Sequence, residues 1–373
     1  MLGISFSSHA QTVESISSIK GHLVRITPRL SEIDRTTMYG EPLVIKRNEK
    51  GIISQQTEAF QAGKRAFKEL ISQRGGDPTP GIMPFTPTMN VPTSTINYNA
   101  DGITATGISP SDNNMAVGPN HIIQMINHGS GSLFTVRSKT GTVITPPTVF
   151  ATLTGQPGAG DPIVLYDYLA NRWLMSEFDD APAGGGSLNI AISATADPTG
   201  SWFIYRFSDA TFFPDYPKFS IWHNAYYGST QDFILSSGTF LGSSIWAFDR
   251  TAMLAGNPTV SLVRVRLNLG TPTATWGICA VSVEGTVPSG QSGLFAYVRD
   301  NTVPSDSVGI IQFTPNFTTP SSSVVSAAER MATLPFNLAS SSAPTPGGGT
   351  WATLAGKTMF KPTYRNFGTN QLY

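Results

Sequence analysis

The residues with the most chemical capacity in this 373-residue chain are its aspartates. Asp112, Asp161 and Asp215 stand just before apolar runs, and Asp179, Asp180, Asp232 and Asp300 just after them. Carboxylates brought together from separate loops can do two things. They can hold Ca²⁺, a hard cation that takes about six to eight oxygens. They can also cleave glycosides, one carboxyl donating a proton while another attacks or activates water across a gap of about 5–10 Å. Asp112, Asp161 and Asp215 are the candidate calcium ligands. No continuous D-x-[DN]-x-[DN]-G loop accompanies them, and an aspartate ahead of a strand commonly makes a turn by bonding its own backbone. Asp179 and Asp180 are adjacent and, on an extended segment, point to opposite faces. A catalytic pair must therefore be drawn from different loops.

Aromatic residues are the second candidate chemistry. Eleven of the 26 residues from Trp202 to Tyr227 are aromatic, against 10% over the chain. Phe203, Tyr205 and Phe207 alternate along one strand face and belong to a core. Phe212, Phe213 and Tyr216 fall in a connection beside Asp215, where rings stack on sugars and a carboxylate bonds hydroxyls. Other chemistry is poorly supported. His121 and His128 are of opposite parity on a strand and do not converge. Cys279 is the lone cysteine, set in an apolar strand, so it forms no intrachain disulfide and reads as an inert core residue. Ala355-Gly-Lys-Thr358 imitates the end of a phosphate loop, but Trp351 stands where the first glycine belongs.

The elements that position these residues follow from composition. Charged residues are 13% of the chain, against a usual level of about 25%. With 36 glycines and 27 prolines, this is a loop-rich, β-like composition. Net charge is zero, which removes the basic footprint of a nucleic-acid binder. The zero hides an asymmetry: residues 1–75 carry 11 Lys+Arg and 7 Asp+Glu, so the lead is basic by four charges and the body acidic by four. Residues 1–10 resemble the tail of an export signal, with Ser8 and Ala10 ahead of Gln11. Residues 11–76 form a charged segment with one amphipathic helix over 57–73, where Phe60, Phe67, Leu70 and Ile71 recur near a 3.6 period. Residues 77–96 are a proline-rich linker. No apolar stretch is long enough for a transmembrane helix.

From residue 97 to 373 a unit of four short strands repeats. Met115–Gly118, His121–Asn127, Ser132–Arg137 and Thr142–Ile144 form the first unit. Ile163–Asp167, Arg172–Phe178, Leu188–Ser193 and Trp202–Phe207 form the second. Lys218–Trp222, Ala225–Gly228, Ser244–Phe248 and Ser261–Arg266 form the third, a fourth begins at Ile278, and a fifth starts at Thr363. Asn120, Asn171 and Asn224 mark the same turn at near-constant spacing, which a β-sandwich would not give. The expectation is an all-β fold, a β-propeller of four-stranded antiparallel blades with a small, partly helical amino-terminal extension. In a propeller the loops from the second to the third strand, and from the fourth to the next blade, open on one face. That rule gathers the named aspartates there. The lead can also supply a strand that completes the last blade, with Pro42–Lys46 as the candidate.

Ser111-Asp-Asn-Asn-Met-Ala-Val-Gly-Pro-Asn-His121, Asp161-Pro-Ile-Val-Leu-Tyr-Asp167, Asp197-Pro-Thr-Gly-Ser-Trp202, Phe213-Pro-Asp-Tyr-Pro-Lys-Phe219 and Tyr364-Arg-Asn-Phe-Gly368 follow in order. Together they resemble a family of secreted bacterial β-propellers of undefined biochemical role, of the sialidase-like type. The resemblance spans residue 97 to the end and implies an exported or surface-displayed propeller, but no catalytic residues. Met115 departs from the glycine such proteins more often carry, and Asp197 approximates the hairpin box of sialidase-like blades. The leading functional expectation is a propeller that binds an extracellular polysaccharide or protein through Asp161, Asp179, Asp180, Phe213, Asp215, Tyr216 and Asp232. The alternative is a carbohydrate-active enzyme, a glycoside hydrolase or polysaccharide lyase, using carboxylates from different blades.

Overall fold

The computed structural model describes residues 12–33, 58–72, 99, 101–104, 106–108, 110–179, 186–209, 211–268, 276–287, 290–300, 306–326, 328–336, 342–344, 350–352, 357–366 and 370–372. The expected export-signal remnant, the linker at 77–96, the strand at 42–46 and Asp180 lie outside the described residues.

The first blade is a four-stranded antiparallel meander of β2 (Asn114–Val117), β3 (His121–His128), β4 (Gly131–Ser138) and β5 (Val143–Val149), following β1 (Thr12–Ile26) and α1 (Glu58–Ser72) in the chain. A short helix, α2 (Phe150–Thr154), leads into the second blade, β6 (Gly160–Asp167), β7 (Arg172–Asp179), β8 (Gly186–Ser193) and β9 (Trp202–Asp209). The third blade is β10 (Phe212–Ile221), β11 (Tyr226–Ile234), β12 (Phe240–Phe248) and β13 (Thr259–Asn268), with α3 (Arg250–Leu254) before its last strand. A fourth sheet pairs β14 (Cys279–Ala280), β16 (Gly293–Arg299) and β17 (Ser307–Thr314) with the short β18 (Val324–Val325) and β19 (Glu329–Ala332). Continuing the run that began at β14, β15 (Ser282–Glu284) pairs in parallel with β22 (Thr363–Asn366), which in turn pairs with β23 (Asn370–Leu372). A separate small hairpin joins β20 (Ser342–Pro344) to β21 (Thr350–Ala352). The chain is an all-β propeller.

Both faces of each middle strand are buried, because each blade packs between neighbours. Along β7 the side chains alternate: Trp173 and Met175 join a core against the first blade, with Phe134, Val136 and Phe150. Leu174 and Phe178 join a second core toward the third blade, with Phe219, Trp246 and Phe248. A third core joins Tyr227, Val263 and Val265 of the third blade to Phe295, Tyr297 and Phe313 of the fourth sheet. The innermost strands β2, β6, β10 and β14 contact one another in succession around the axis.

One element departs from the expected domain plan. The lead is not an appendage ahead of residue 97: β1 lies between the outermost strands of the second and third blades, pairing antiparallel with β13 over Thr12–His22 and with β9 over His22–Ile26. Its apolar residues divide between two cores, Ile19 and Leu23 packing on one and Val13 and Ile16 on the other. The strand thereby covers two sheet edges that would otherwise expose unpaired backbone groups.

Candidate functional site at the channel mouth

Strand registers set one end of the blades apart. Gly160 opposes Phe178, Asp179 opposes Ser187, and Gly186 opposes Asp209, so Asp161, Asp179 and Asp209 share one end of the second blade. In the third blade Pro214 opposes Asp232, which opposes Gly242, so Asp215 and Asp232 share the matching end.

Three innermost strands carry a strained residue, just before β2, at the second position of β6 and at the fifth position of β10. Asp112, Asp161 and Tyr216 have φ of 41°, 50° and 53°, the left-handed region that non-glycine residues seldom occupy. For the second and third blades the cause is a bulge: register slips between Gly160 and Ile163, and between Asp215 and Lys218. A bulge re-aims the side chain at its apex, and such strain persists only where the surroundings over-determine it. In the third blade Tyr216 takes the position that Asp161 holds in the second, and Asp215 precedes it by one residue.

Asn127, fully buried, brackets two of these turns. Its Nδ2 donates to Asp112 Oδ2 at 2.6 Å and to the Pro110 carbonyl at 3.0 Å, while its Oδ1 accepts the Asp161 N–H at 2.9 Å. Burial, then the neighbouring charges of Asp112 and Asp215, push the Asp161 carboxyl up to about 7, with Lys218 and Lys64 pulling the other way. Asp112 and Asp215 are therefore both close enough to act on Asp161. Among the described residues, however, no three His, Cys, Asp or Glu side chains group closely enough to hold a metal ion.

The basic lead reaches this site. Lys64 of α1 forms a 2.7 Å ion pair with Asp215, and its ammonium lies 5.2 Å from the ring centroids of both Phe213 and Phe233. Phe67, one turn further on, packs against Phe240 at 4.0 Å and Trp276 at 4.9 Å. Gly63 lies so close to the β11–β12 turn that a Cβ would fall 2.1 Å from the Ser237 carbonyl oxygen. The helix thus seats on the mouth of the third blade. Tyr216 is flanked by lysines, Lys218 at 3.8 Å and Lys357 at 3.3 Å from its ring centroid. Burial raises its phenol above the ordinary value and pushes the nearby Cys279 thiol up to about 11.

Three residues of the expected ligand surface, Asp179, Phe213 and Asp232, are buried, and so is Phe212. Phe212 and Phe213 are 0% and 1% exposed, because they open β10 instead of filling a loop; Phe213 packs edge-on against Phe178. Asp179, 2% exposed, lies under Arg206 at 2.5 Å, and Arg206 also donates to Asn189. Asp232, 0% exposed, accepts from Thr230 and Ser244 and pairs with Arg266 at 3.5 Å. Desolvation is the largest influence on Asp232 and pushes it up to about 6. Both aspartates are held by partners within their own blades. The structure brings Asp112, Asp161, Asp215 and Tyr216 together and leaves the others in the seams.

Sequence reasoning missed Asn127, Glu177 and the lysines. Glu177 is fully buried beside Ser132, in a cradle where a Cβ on Gly158 would fall 1.9 Å from its carboxyl; desolvation raises it well above the usual carboxylate range. A lone acid inside the apolar run Trp173–Phe178 was the available signal. Lys357 belongs to the failed phosphate-loop imitation, and Lys64 looks like the solvated side of a helix.

A β-propeller with a carboxylate and lysine cluster at the mouth of its channel is the class that fold and site define. No protein-family description matches the chain, and no curated protein does. Among solved structures it is similar to a GH43 endo-arabinanase from Bacillus licheniformis, with 11% identity and TM-score 0.33 over 66% of this chain and 78% of that one. It is also similar to a GH43_1 enzyme from Xanthomonas citri complexed with xylose, with 11% identity and TM-score 0.30 over 65% and 89%. The RS223 β-xylosidase has 9% identity and TM-score 0.30 over 65% and 94%.

Proposed function

We propose that the protein is a carbohydrate-active enzyme that hydrolyses a glycosidic bond of an extracellular polysaccharide at the channel mouth. The observation that supports this reading is that one buried side chain, Asn127, holds both the Asp112 carboxylate and the Asp161 backbone N–H, which brings two aspartate turns side by side at the mouth with Asp215 acting on Asp161 from the next blade. Glycoside cleavage needs two such carboxyl groups from separate loops, because the scissile bond must fit between a proton donor and a second carboxylate. Asp161, raised to about 7, is the proton donor in this scheme, since it keeps its proton near neutrality and gives it to the leaving oxygen. Asp112, whose carboxylate accepts the Asn127 amide, activates water or attacks the sugar. Asp215, tied to Lys64, keeps negative charge beside Asp161 and so favours its protonated form. The runner-up, a ligand-binding propeller without chemistry, loses Asp179, Asp232 and Phe213 from its contact surface to burial.

The test is reducing-end release from a panel of plant and algal glycans. Asp161→Asn and Asp112→Asn each abolish release, a loss of at least about 10³-fold, while the folded variants still bind the glycan. Release unchanged in both variants, or none from any glycan by the wild type, rejects the reading.

A further inference from the structure

The seam between the first two blades holds a buried acid that the proposed reaction does not use. Glu177 is 0% exposed and lies on the β7 face of Trp173 and Met175, which packs against the first blade. Neither of its carboxyl oxygens has a hydrogen-bond partner among the described residues, and nor does the buried hydroxyl of Ser132 across the seam. The Ser132 hydroxyl and N–H are nonetheless near enough to favour the charged carboxyl. A buried polar group without a partner is costly, and a buried carboxylate more so.

Glycines make room for this carboxyl on both sides. A Cβ on Gly131, the first residue of β4, would lie 2.7 Å from Glu177 Oε2 and 3.0 Å from the Gly158 carbonyl oxygen. A Cβ on Gly158 itself would fall 1.9 Å from Oε1. Asn189, which opposes Glu177 across the β7–β8 ladder, fixes that loop by donating to the Pro157 carbonyl at 2.7 Å. On the other side of β7, Gly160 opposes Phe178 and Ile163 opposes Ser176, so Glu177 stands alone against the bulged pair Asp161 and Pro162. The cradle therefore backs onto the Asp161 turn.

The groups that meet here are all oxygen donors: a carboxylate, a hydroxyl and a carbonyl. Zinc and copper sites are built on nitrogen and sulfur, whereas carboxylate and carbonyl oxygens suit hard cations. We propose that Glu177 holds a hard cation in the seam between the first and second blades, with Ser132 Oγ and the Gly158 carbonyl as further ligands. Ca²⁺, Na⁺ and K⁺ share this chemistry, and the experiment separates them. The ion ties β4 of the first blade to β7 and to the loop that leads into β6, and so fastens the turn that carries Asp161. Asp112, Asp161 and Asp215 are not its ligands. The site stands apart from the glycosidase reading and holds or fails whatever the mouth binds.

The test is thermal unfolding of the full chain, first stripped with a chelator and dialysed into tetramethylammonium chloride, whose cation is too large for the cradle. CaCl₂, NaCl or KCl then replaces that salt at constant ionic strength. At least one of the three raises the melting temperature by several degrees once the ion is about a hundredfold above its Kd, and the arm that does so names the ion. Glu177→Gln keeps the shape of the side chain, removes its charge and abolishes the rise. Ser132→Ala moves the half-maximal rise to about tenfold higher cation concentration, and it serves as the second variant should the glutamine variant fail to fold. Asp112→Asn keeps the rise, because the ion is not at the mouth. No rise with any of the three cations is the behaviour of a carboxyl satisfied by a proton or a water, and it overturns the proposal. A rise equally large in Glu177→Gln, one unmoved by Ser132→Ala, or one removed by Asp112→Asn overturns it as well.

Discussion

Asp161 links the chemistry of the site to the stability of the fold. Its carboxyl is raised from 3.8 in the unfolded chain to about 7 in the folded one, first by burial and then by Asp112 and Asp215. Between those values the folded state binds more protons than the unfolded state, so the stability the protonated group contributes is complete below about pH 4 and is lost as pH rises through about 7. Asp161→Asn keeps the shape of the protonated acid and removes its titration. The variant therefore melts several degrees above the wild type at about pH 8 and close to it at about pH 4, a difference of at most a few kcal/mol. Differential scanning calorimetry at the two pH values checks this, and equal melting temperatures at the higher pH would falsify it. Under the proposed glycosidase scheme the rate is expected to decline as pH rises through about 7, because the donor is then deprotonated.

Among the elements, β1 is the one whose role depends on a single small residue. Gly21 faces the Phe207 ring, and a Cβ at that position would lie 2.1 Å from it. Phe207 is buried and packs edge-on against Phe248 at 5.0 Å, so it has no room to withdraw. Gly21→Ala destabilises the protein by about 1–3 kcal/mol through overpacking. In urea denaturation Phe207→Leu in the same chain recovers part of that loss; additive effects of the two substitutions would reject the contact. The strand also shows why some elements were legible in the sequence and others were not. The blade strands stand out because Asn, Asp and Gly turns bound alternating runs, although β5, β10 and β11 each run five or six residues past an expected limit. β1 has no such frame: bulges after Val13 and Leu23 break its alternation, so its apolar residues keep no strand period. Phe213 was misplaced for a related reason. Pro214 and Pro217 suggest a loop, whereas β10 carries them through a bulge. Asp179 and Asp232 were placed at the correct end of the blades, but their burial depends on Arg206 and Arg266, partners 27 and 34 residues away that a local reading does not reveal.

At the scale of the whole molecule, several ion pairs among the described residues lie in the seams of the blades. Asp179 with Arg206 lies where the second blade meets the first. Asp232 with Arg266 and Asp209 with Arg264 lie between the second and third, where the Arg264 guanidinium covers the Phe212 ring at 4.0 Å. At the far end of that seam Arg250 grips fully buried Asp167 with two hydrogen bonds, Nε at 2.7 Å and Nη2 at 3.0 Å, and Tyr226 adds a third at 2.8 Å. Asp167 belongs to the second blade, and both its partners belong to the third. Removing the arginine leaves a buried carboxylate with only neutral donors, the Tyr226 hydroxyl and the Leu169 and Ala170 N–H groups, so Arg250→Met costs about 3–5 kcal/mol. The double variant Arg250→Met with Asp167→Asn removes the stranded charge and recovers a substantial part of that loss in chemical denaturation. Asp167 lies six strand positions along β6 from Asp161, about 20 Å at the rise of an extended strand, so the site does not share the damage. Below its lowered melting temperature Arg250→Met therefore retains glycan binding near the wild-type level. A loss of binding at temperatures where the variant is fully folded would mean that this seam also sets the geometry of the mouth.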